Sequence, residues 1–274
     1  MSWFEGVWNA SSLEQAREIF YLGHVFTYPE DSLIGRFLEA GRGWDAVLGE
    51  VVPALIDGES PFAVEVGSNI GASLLQVFSA KPRARAICFE PSSRFRLYLI
   101  KNLKMAGVIE RTRIYSFAAG SDPGKMKLYS NASTAASFGR DYAGYETLLE
   151  ETVKVVRLDD ELYPEWTDLI KVDVGGAEFE VLRGAEQTLR AHRPVLHFEF
   201  ATYLMENPTE GLSWLQSLGY EQFLCLSATG KRTGITRNTE EAVEWAAADG
   251  SRYCDILTCA EGTEAAKRLG GLLL

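Results

Sequence analysis

The feature that most constrains this chain is a regular alternation of short apolar strands and helices between residues 62 and about 226. A β-branched strand at 62–66 leads through a glycine turn into a helix at 72–80, and the pattern repeats with a strand at 86–89 and a helix ending at Met105. Such alternation is typical of parallel strands joined by helical crossovers. It predicts a doubly wound α/β sheet that binds its ligand beyond the carboxyl ends of the strands.

The same periodicity predicts the rest of the sheet. A third strand at 112–118 is followed by a Ser-Asp-Pro-Gly turn and an extra hairpin strand at 125–129. The small, polar and aperiodic stretch 130–144 predicts a loop or lid. The later strands are predicted at 152–158, 168–174, 194–200, 221–226 and 253–259, and the later helices at 178–191, 209–218 and 239–248.

The first sixty residues carry three basic and ten acidic side chains, and their apolar residues recur at helical spacing. This spacing predicts two or three helices. A length of 274 residues suggests two domains at about 150 residues each, yet one sheet accounts for most of the chain. The prediction is therefore a helical extension or lid at 1–60 and one α/β domain at 61–274.

The composition excludes several classes of protein. A net charge of -11 disfavours nucleic-acid binding, because neutralising phosphates requires a basic surface. No apolar run approaches the roughly 18 residues of a membrane span, and no signal peptide is visible, so a cytoplasmic location is predicted. The four cysteines lie in apolar runs without a C-x-x-C pair, which predicts buried free thiols and no metal site.

The turn after the first strand reads Glu65-Val-Gly67-Ser68-Asn69-Ile-Gly71. Gly67 lets the chain turn tightly and a ligand approach the backbone, and Gly71 permits close packing where the helix begins. A carboxylate at the strand end suits a ligand with a positive amino or sulfonium group better than a pyrophosphate. Glu90, at the tip of the second strand, is placed to accept hydrogen bonds from ribose hydroxyls. Together these residues predict an S-adenosylmethionine (SAM) pocket.

Two alternatives to this interpretation are open. The glycines could build only a turn, with Glu90 a solvated strand end. A nucleotide-dependent oxidoreductase is the more remote alternative: 41–46 matches G-x-G-x-x-A, but it follows a helical segment instead of a strand, so the motif lacks its structural context.

A second polar cluster ends the fourth strand, where alternation places Lys171 and Asp173 on one face with Asp173 towards the crevice. The fifth strand ends similarly with His197 and Glu199. Asp173 and Glu199 are the candidate catalytic residues. The structural alternatives are a buried Lys171–Asp173 pair, a core histidine, and Glu178 as a first-turn helix charge.

These motifs resemble the FkbM-type family of class I SAM-dependent methyltransferases over roughly residues 62–200. The resemblance rests on the segments VEVGSNIG, CFEPSSRFRLYLIKN, VVRLDDEL, DLIKVDVGGAEFEVLRGAEQTL and PVLHFEF. It implies a Rossmann-like, mostly parallel seven-stranded sheet, SAM as cofactor, and methyl transfer to a hydroxyl of a sugar, lipid or natural product. The cofactor-binding residues would be Glu65, Gly67, Ser68, Asn69, Gly71, Glu90 and Asp173.

One residue departs from the family pattern, because Gly175 stands where the family commonly has an acidic residue. A catalytically weak SAM-binding scaffold and an N-methyltransferase therefore stay open as alternatives. The expected partner is a small-molecule acceptor, and a homodimer is open. Positions 61–150 carry twelve basic and seven acidic residues. A solvated helix face explains this excess better than a dock for an anionic acceptor.

Overall fold

The computed structural model describes residues 16–131, 136–137, 147–162, 166–227, 231–248 and 253–273. The strands are β1 (Ala16–Tyr21), β2 (His24–Pro29), β3 (Phe62–Val66), β4 (Arg85–Phe89), β5 (Thr112–Tyr115), β6 (Ala118–Ala119), β7 (Gly124–Asn131), β8 (Ala136–Ser137), β9 (Thr147–Val156), β10 (Leu169–Val172), β11 (Val195–Ala201), β12 (Phe223–Ser227), β13 (Arg232–Thr236) and β14 (Tyr253–Thr258). The α-helices are α1 (Leu33–Glu39), α2 (Leu48–Leu55), α3 (Ala72–Ala80), α4 (Ser93–Met105), α5 (Leu158–Leu162), α6 (Glu178–Arg183), α7 (Glu186–His192), α8 (Pro208–Ser217), α9 (Thr239–Ala247) and α10 (Glu264–Leu269).

The central sheet has eight strands in the order β13-β12-β14-β11-β10-β3-β4-β5. The five strands from β11 to β5 are mutually parallel, whereas β14 is antiparallel to both β11 and β12. The α/β, Rossmann-like prediction is confirmed, but the sheet is mixed and has eight strands, whereas seven mostly parallel strands were predicted. The additional strand is β13, which pairs antiparallel with the outer edge of β12. Its sequence RTGIT is polar and contains a glycine, so it carries little of the apolar signal that marks a strand.

The described part of the N-terminal segment starts at Ala16 with a β-hairpin, so the helix predicted around Ala16, Ile19 and Phe20 is wrong. Leu22 and Gly23 have φ angles of 48° and 84°. Two consecutive positive φ angles are typical of the two-residue turn that joins antiparallel strands, and β1 and β2 pair directly across it. Helices α1 and α2 follow the hairpin, as the helical spacing predicts for this part of the segment. Only residues 16–60 of this segment lie within the described ranges.

A four-stranded second sheet, in the order β6-β9-β7-β8, lies beside the main one. The predicted third strand therefore ends early, at Tyr115, and the next two paired residues belong to this sheet. The predicted hairpin strand is confirmed as β7, but its partner is the long β9. Most of the predicted loop at 130–144 lies outside the described residues.

The predicted helix 178–191 is two helices, α6 and α7, separated at Gly184. A Cβ at this position would stand 2.2 Å from the carbonyl oxygen of Gly120. The chain therefore passes so close to the second sheet here that glycine is required. Free, buried cysteines are confirmed at all four positions. In the part of the chain that the structure describes, no helix combines the length and apolarity needed to cross a bilayer.

Asn102 on α4 attaches the hairpin to the core. This side chain is 1% exposed, accepts a hydrogen bond from the Thr27 amide at 2.7 Å, and donates to the carbonyl oxygens of Thr27 and Ile70, each at 2.8 Å. Ile70 belongs to the glycine turn after β3. The hairpin and that turn are thereby held in one arrangement by a single side chain.

Asn102→Ala is expected to lower the free energy of unfolding by about 2–4 kcal/mol, because it leaves buried backbone groups of Thr27 and Ile70 without partners. Urea denaturation measures the loss. Met105→Ala on the same helix, where the side chain is 48% exposed, should cost well under about 1 kcal/mol. Equal effects of the two substitutions would contradict this role for Asn102.

Candidate active site

A cavity of about 320 Å³ opens at the carboxyl ends of the parallel strands, as the strand order predicts. Its floor comes from the turns after β3, β4 and β10. One wall consists of α1 and residues 43–45 from the N-terminal segment, and another of apolar residues between β5 and β7. The predicted site residues Gly67, Ser68, Asn69, Glu90, Asp173 and Glu199 all line this cavity.

At Gly67, the turn after β3 lies directly against the backbone that follows β10. Its φ angle is 84°, and a Cβ would stand 1.8 Å from the carbonyl oxygen of Asp173. The backbone amide of Asp173 in turn donates a hydrogen bond to the carbonyl oxygen of Val66 at 2.9 Å. Gly71, at φ 89°, precedes α3, and a Cβ there would stand 2.8 Å from Leu99. Gly71 is not among the cavity-lining residues, so its demonstrated role is packing.

Glu90 joins the turns after β3 and β4. Its carboxylate accepts hydrogen bonds from the backbone amides of Asn69 at 2.7 Å and Ser92 at 2.8 Å. The residue is 3% exposed, and burial raises its pKa to about 7 despite these bonds. Each carboxylate oxygen has a second lone pair, so the group can still accept from a ligand in the cavity.

Glu65 lies beneath the cavity and is not among its lining residues. Ser73 donates to its Oε1 atom at 2.5 Å, while Oε2 is buried and has no hydrogen-bond partner in the described structure. Burial raises the pKa of Glu65 to about 7, and the nearby Lys171 ammonium partly opposes this shift. A buried carboxylate oxygen without a partner indicates a position suited to a bound polar group or water.

Lys171 is the central cation of the site. Its side chain is 4% exposed, and its Nζ atom lies 3.0 Å from Asp173 and 3.2 Å from Asp45. These two carboxylates, with a contribution from Glu65, raise the pKa of Lys171 well above its usual value despite burial. The proposed Lys171–Asp173 pair therefore exists, and Asp173 still reaches the cavity with 35% of its side chain exposed.

Glu199 and Asp255 are directly opposed across the antiparallel strands β11 and β14, and both line the cavity. Opposed residues on antiparallel strands place their Cβ atoms about 5 Å apart. The Glu199 Oε2 atom is buried without a hydrogen-bond partner among the described residues. Burial, and then repulsion from neighbouring carboxylates, raises the pKa of each group well above its usual value.

Two further candidates have structural roles. The Glu178 carboxylate accepts hydrogen bonds from the backbone amides of Val174 and Gly176, so it holds the glycine-rich turn after β10. His197 is 1% exposed, does not line the cavity, and burial lowers its pKa to about 4. It is therefore a neutral core histidine. Gly175 lies at the cavity with a φ angle of 70°.

Sequence reasoning missed Asp45 and Asp255. Asp45 belongs to the G-x-G-x-x-A segment that was set aside as a false dinucleotide motif, yet Gly43, Trp44 and Asp45 line the cavity. Asp255 is a single charge inside an otherwise apolar strand, which is a detectable signal because buried strands rarely carry unpaired charges. In the described parts of the chain, no group of histidine, cysteine or acidic residues is arranged to hold a metal ion.

This strand order, with glycine turns and strand-end carboxylates around one crevice, defines a Rossmann-like α/β protein of the methyltransferase type. Residues 65–221 match the model of the methyltransferase FkbM domain, which is more than half of the chain. The chain belongs to the FkbM methyltransferase family.

Two relatives and one solved structure show how far the similarity extends. The 2-O-methyltransferase NoeI of Sinorhizobium fredii is 26% identical over 159 residues, which is 52% of this chain and 64% of NoeI. The methyltransferase sdnD of Sordaria araneosa is 29% identical over 161 residues, 47% of this chain and 61% of sdnD. The chain thus matches less than two thirds of each relative. A crystal structure of an FkbM methyltransferase from Methylobacillus flagellatus aligns at 16% identity and a TM-score of 0.49, covering 73% of this chain and 44% of that one.

Proposed function

We propose that this protein transfers a methyl group from SAM to a hydroxyl group of a small molecule, sugar or natural-product intermediate. The observation that carries the proposal is the pair of buried carboxylates, Glu65 and Glu90, at the ends of adjacent parallel strands beside one glycine turn. Family membership and the relatives named as methyltransferases support it.

The residues present fit SAM. Glu90 offers free lone pairs towards the cavity for the ribose hydroxyls, and the backbone of Gly67, Ser68 and Asn69 borders the same space. The buried Oε2 of Glu65 is a candidate partner for the methionine amino group. Apolar residues after β5 and on β7 supply a wall for the adenine ring: Phe117, Ala118, Ala119 and Leu128.

SAM supplies a methyl group that its sulfonium already activates, so the protein must mainly align the acceptor and remove its proton. We assign the orientation of the acceptor hydroxyl to Asp173, because Lys171 fixes one of its carboxylate oxygens. Glu199 is the reserve base. Its raised pKa makes the ionised form a stronger proton acceptor, although a smaller fraction is ionised at neutral pH.

The N-terminal segment contributes to the same proposal. We infer that the segment 1–60 covers the domain formed by 61–274 through its described residues 16–60, because residues between Leu33 and Asp45 form a wall of the cavity. The ion pair between Asp45 and Lys171 attaches this cover to the sheet. The cytoplasmic location and the absence of nucleic-acid binding stay predictions, and a homodimer stays open.

Glu90→Gln is expected to weaken SAM binding about 100-fold, because it removes a charged acceptor for ribose hydroxyls and places an amide group against backbone donors. Isothermal titration calorimetry with SAM measures the change. Glu151→Gln is the matched control. Like Glu90, Glu151 accepts a hydrogen bond from a backbone amide at the start of α4, in its case that of Ser93, but it does not line the cavity. Unchanged SAM affinity in Glu90→Gln would show that Glu90 does not bind the ribose hydroxyls.

SAM binding should strengthen as the pH rises. Because the pKa of Glu65 is about 7 in the folded protein, the carboxylate that attracts the methionine amino group is mostly protonated at pH 6 and mostly ionised at pH 8. One such group makes the dissociation constant fall about tenfold over this interval. Glu65→Gln should lose that part of the pH dependence. An identical pH profile in the variant would contradict the role of Glu65.

Gly175 favours a second candidate, a SAM-binding protein with weak or no transferase activity. It places a residue without a side chain at the cavity, where the family commonly has an acidic residue. This candidate predicts that SAM binds but that no hydroxylated compound in a broad panel yields S-adenosylhomocysteine. Release of S-adenosylhomocysteine with any acceptor decides for the enzyme.

A further inference from the structure

The cavity has two ends with different chemistry. The turn bearing Glu90 follows β4, whereas Asp255 lies on β14, four strands away in the sheet. Neighbouring strands are about 4.8 Å apart, so these two ends are separated by roughly 19 Å. The proposed cofactor residues belong to the β3–β4 end. The β11–β14 end is therefore left for the acceptor, and the inference below rests on the proposed function.

The acceptor end is acidic and aromatic. Glu199 and Asp255 face each other there, and Tyr203 and Tyr253 line the same part of the cavity. Tyr203 is 45% exposed, so one aromatic side chain is accessible from solvent. Carboxylates beside aromatic faces are the combination that binds organic ammonium groups, through charge and through cation–π attraction.

The positive charge near this end is already committed. Lys171 is the one lysine or arginine among the described residues that line the cavity, and it is paired with both Asp45 and Asp173. Among the carboxylates near this end, that of Glu178 already accepts hydrogen bonds from the backbone amides of Val174 and Gly176. The Glu199 Oε2 atom differs, because it is buried at the cavity without a partner in the described structure.

The basic residues of α4 do not provide an anion site that would compete with this interpretation. Arg94 pairs with Asp31 at 2.8 Å, and Lys101 pairs with Glu18 at 3.0 Å. Arg96 donates to two backbone carbonyl oxygens, those of Glu90 and Pro91. These cations hold the N-terminal segment and the β4 turn in place, and none of them lines the cavity.

We propose that the acceptor carries a protonated amine that binds between Glu199 and Asp255, with Tyr203 and Tyr253 beside it. The substrate class is then hydroxylated amines, such as amino sugars and amino alcohols, with the hydroxyl presented towards Asp173. A neutral polyol would leave the buried Glu199 oxygen without a charged partner, and an anionic acceptor would be repelled.

The same geometry predicts a proton release. Without ligand, burial and then repulsion from neighbouring carboxylates raise the pKa values of Glu199 and Asp255, while Lys171 partly offsets this. The raised values favour a proton held by the pair. An ammonium group between them stabilises both anions and lowers their pKa. Binding of the amine should therefore release up to one proton to the buffer at neutral pH.

The test compares amines with their N-acetylated counterparts, in which acetylation removes the positive charge and adds an acetyl group. The protein, saturated with S-adenosylhomocysteine, is titrated calorimetrically with glucosamine, galactosamine and 2-deoxystreptamine and with the N-acetylated form of each, in two buffers of different ionisation enthalpy. We expect at least one amine to bind about tenfold or more tightly than its acetylated form, with a buffer-dependent enthalpy that reports proton release.

Isosteric variants locate the effect. Glu199→Gln and Asp255→Asn should each reduce the preference for the amine to less than about threefold. Glu244→Gln, which changes an exposed carboxylate on α9, should leave the preference intact. Loss of the preference in all three variants would assign it to overall charge and not to this site.

Three results separate this inference from the proposed function. If no amine binds better than its acetylated form while S-adenosylhomocysteine still binds, the inference is wrong and the proposed function stands. If S-adenosylhomocysteine does not bind, the proposed function itself fails. Where an amine is turned over with SAM, mass spectrometry of the product shows whether the methyl group is on oxygen, as proposed, or on the amine, which would retain the recognition site but overturn O-methylation.

Discussion

Gly67→Ala is expected to destabilise the fold by about 2–5 kcal/mol and to abolish SAM binding. Alanine would have to adopt a φ of 84°, and its Cβ would overlap the Asp173 carbonyl oxygen at 1.8 Å. Because that oxygen belongs to backbone at the end of β10, no side-chain rotation can relieve the overlap. The turn after β3 and the end of β10 must therefore separate, which disrupts the cavity floor that both help to form. Urea denaturation and SAM calorimetry measure the two effects.

The chain offers a matched control in Gly58. Its φ of 81° is nearly the same as that of Gly67, but a Cβ there would meet no heavy atom within 4 Å. Gly58→Ala therefore carries only the conformational cost of the left-handed region, about 1–2 kcal/mol, and should leave SAM binding unchanged. If Gly67→Ala cost no more than Gly58→Ala, the close approach of β3 and β10 would not be what requires glycine at position 67.

Lys171→Met is the second large effect, with an expected loss of about 3–5 kcal/mol in the free energy of unfolding near neutral pH. The substitution keeps most of the unbranched side chain but removes the cation that lies between Asp45 and Asp173. Those carboxylates would then face Glu65 and Glu199 without a counter-charge. The N-terminal cover would also lose its ion pair with the sheet, so we expect methyl transfer to fall to background.

The loss should depend on pH in a defined direction. Removing the ammonium raises the pKa of the remaining carboxyls, so the folded variant binds more protons than the unfolded chain and its stability falls as pH rises. The deficit relative to the wild-type protein should therefore shrink towards pH 5. Lys267→Met is the control, because Lys267 and Glu264 form a pair with side chains 65% and 62% exposed. Its expected cost is below about 1 kcal/mol. A similar cost for both lysines would contradict the buried role of Lys171.

Local pattern was sufficient wherever a structural element is fixed by its own residues. The strand at Phe62–Val66 and the helix at Ala72–Ala80 have the predicted bounds, because a β-branched apolar run and a glycine turn leave few alternatives. Strand β1 was predicted as helix because Ala16, Ile19 and Phe20 also fit a helical spacing. The turn at Leu22 and Gly23 decides the outcome through backbone geometry that Leu22 does not reveal in sequence.

The residues of the candidate site also fall into two groups, those that local motifs predict and those that they do not. The strand-end motifs predicted Glu65, Gly67 and Glu90, because the ends of neighbouring parallel strands must meet at one edge of the sheet. Asp45 and Asp255 come from segments more than two hundred residues apart, and no local pattern relates them.

By itself, the sequence determined the sheet class, the glycine turn and the family, since each depends on residues close together in the chain. The tertiary structure alone decided that an acidic and aromatic end completes the cavity and that Lys171 joins the N-terminal cover to the sheet. The physical reason is that charge interactions depend on distance in space and on burial. Both are set only when the N-terminal segment and the last strand pack against the same crevice.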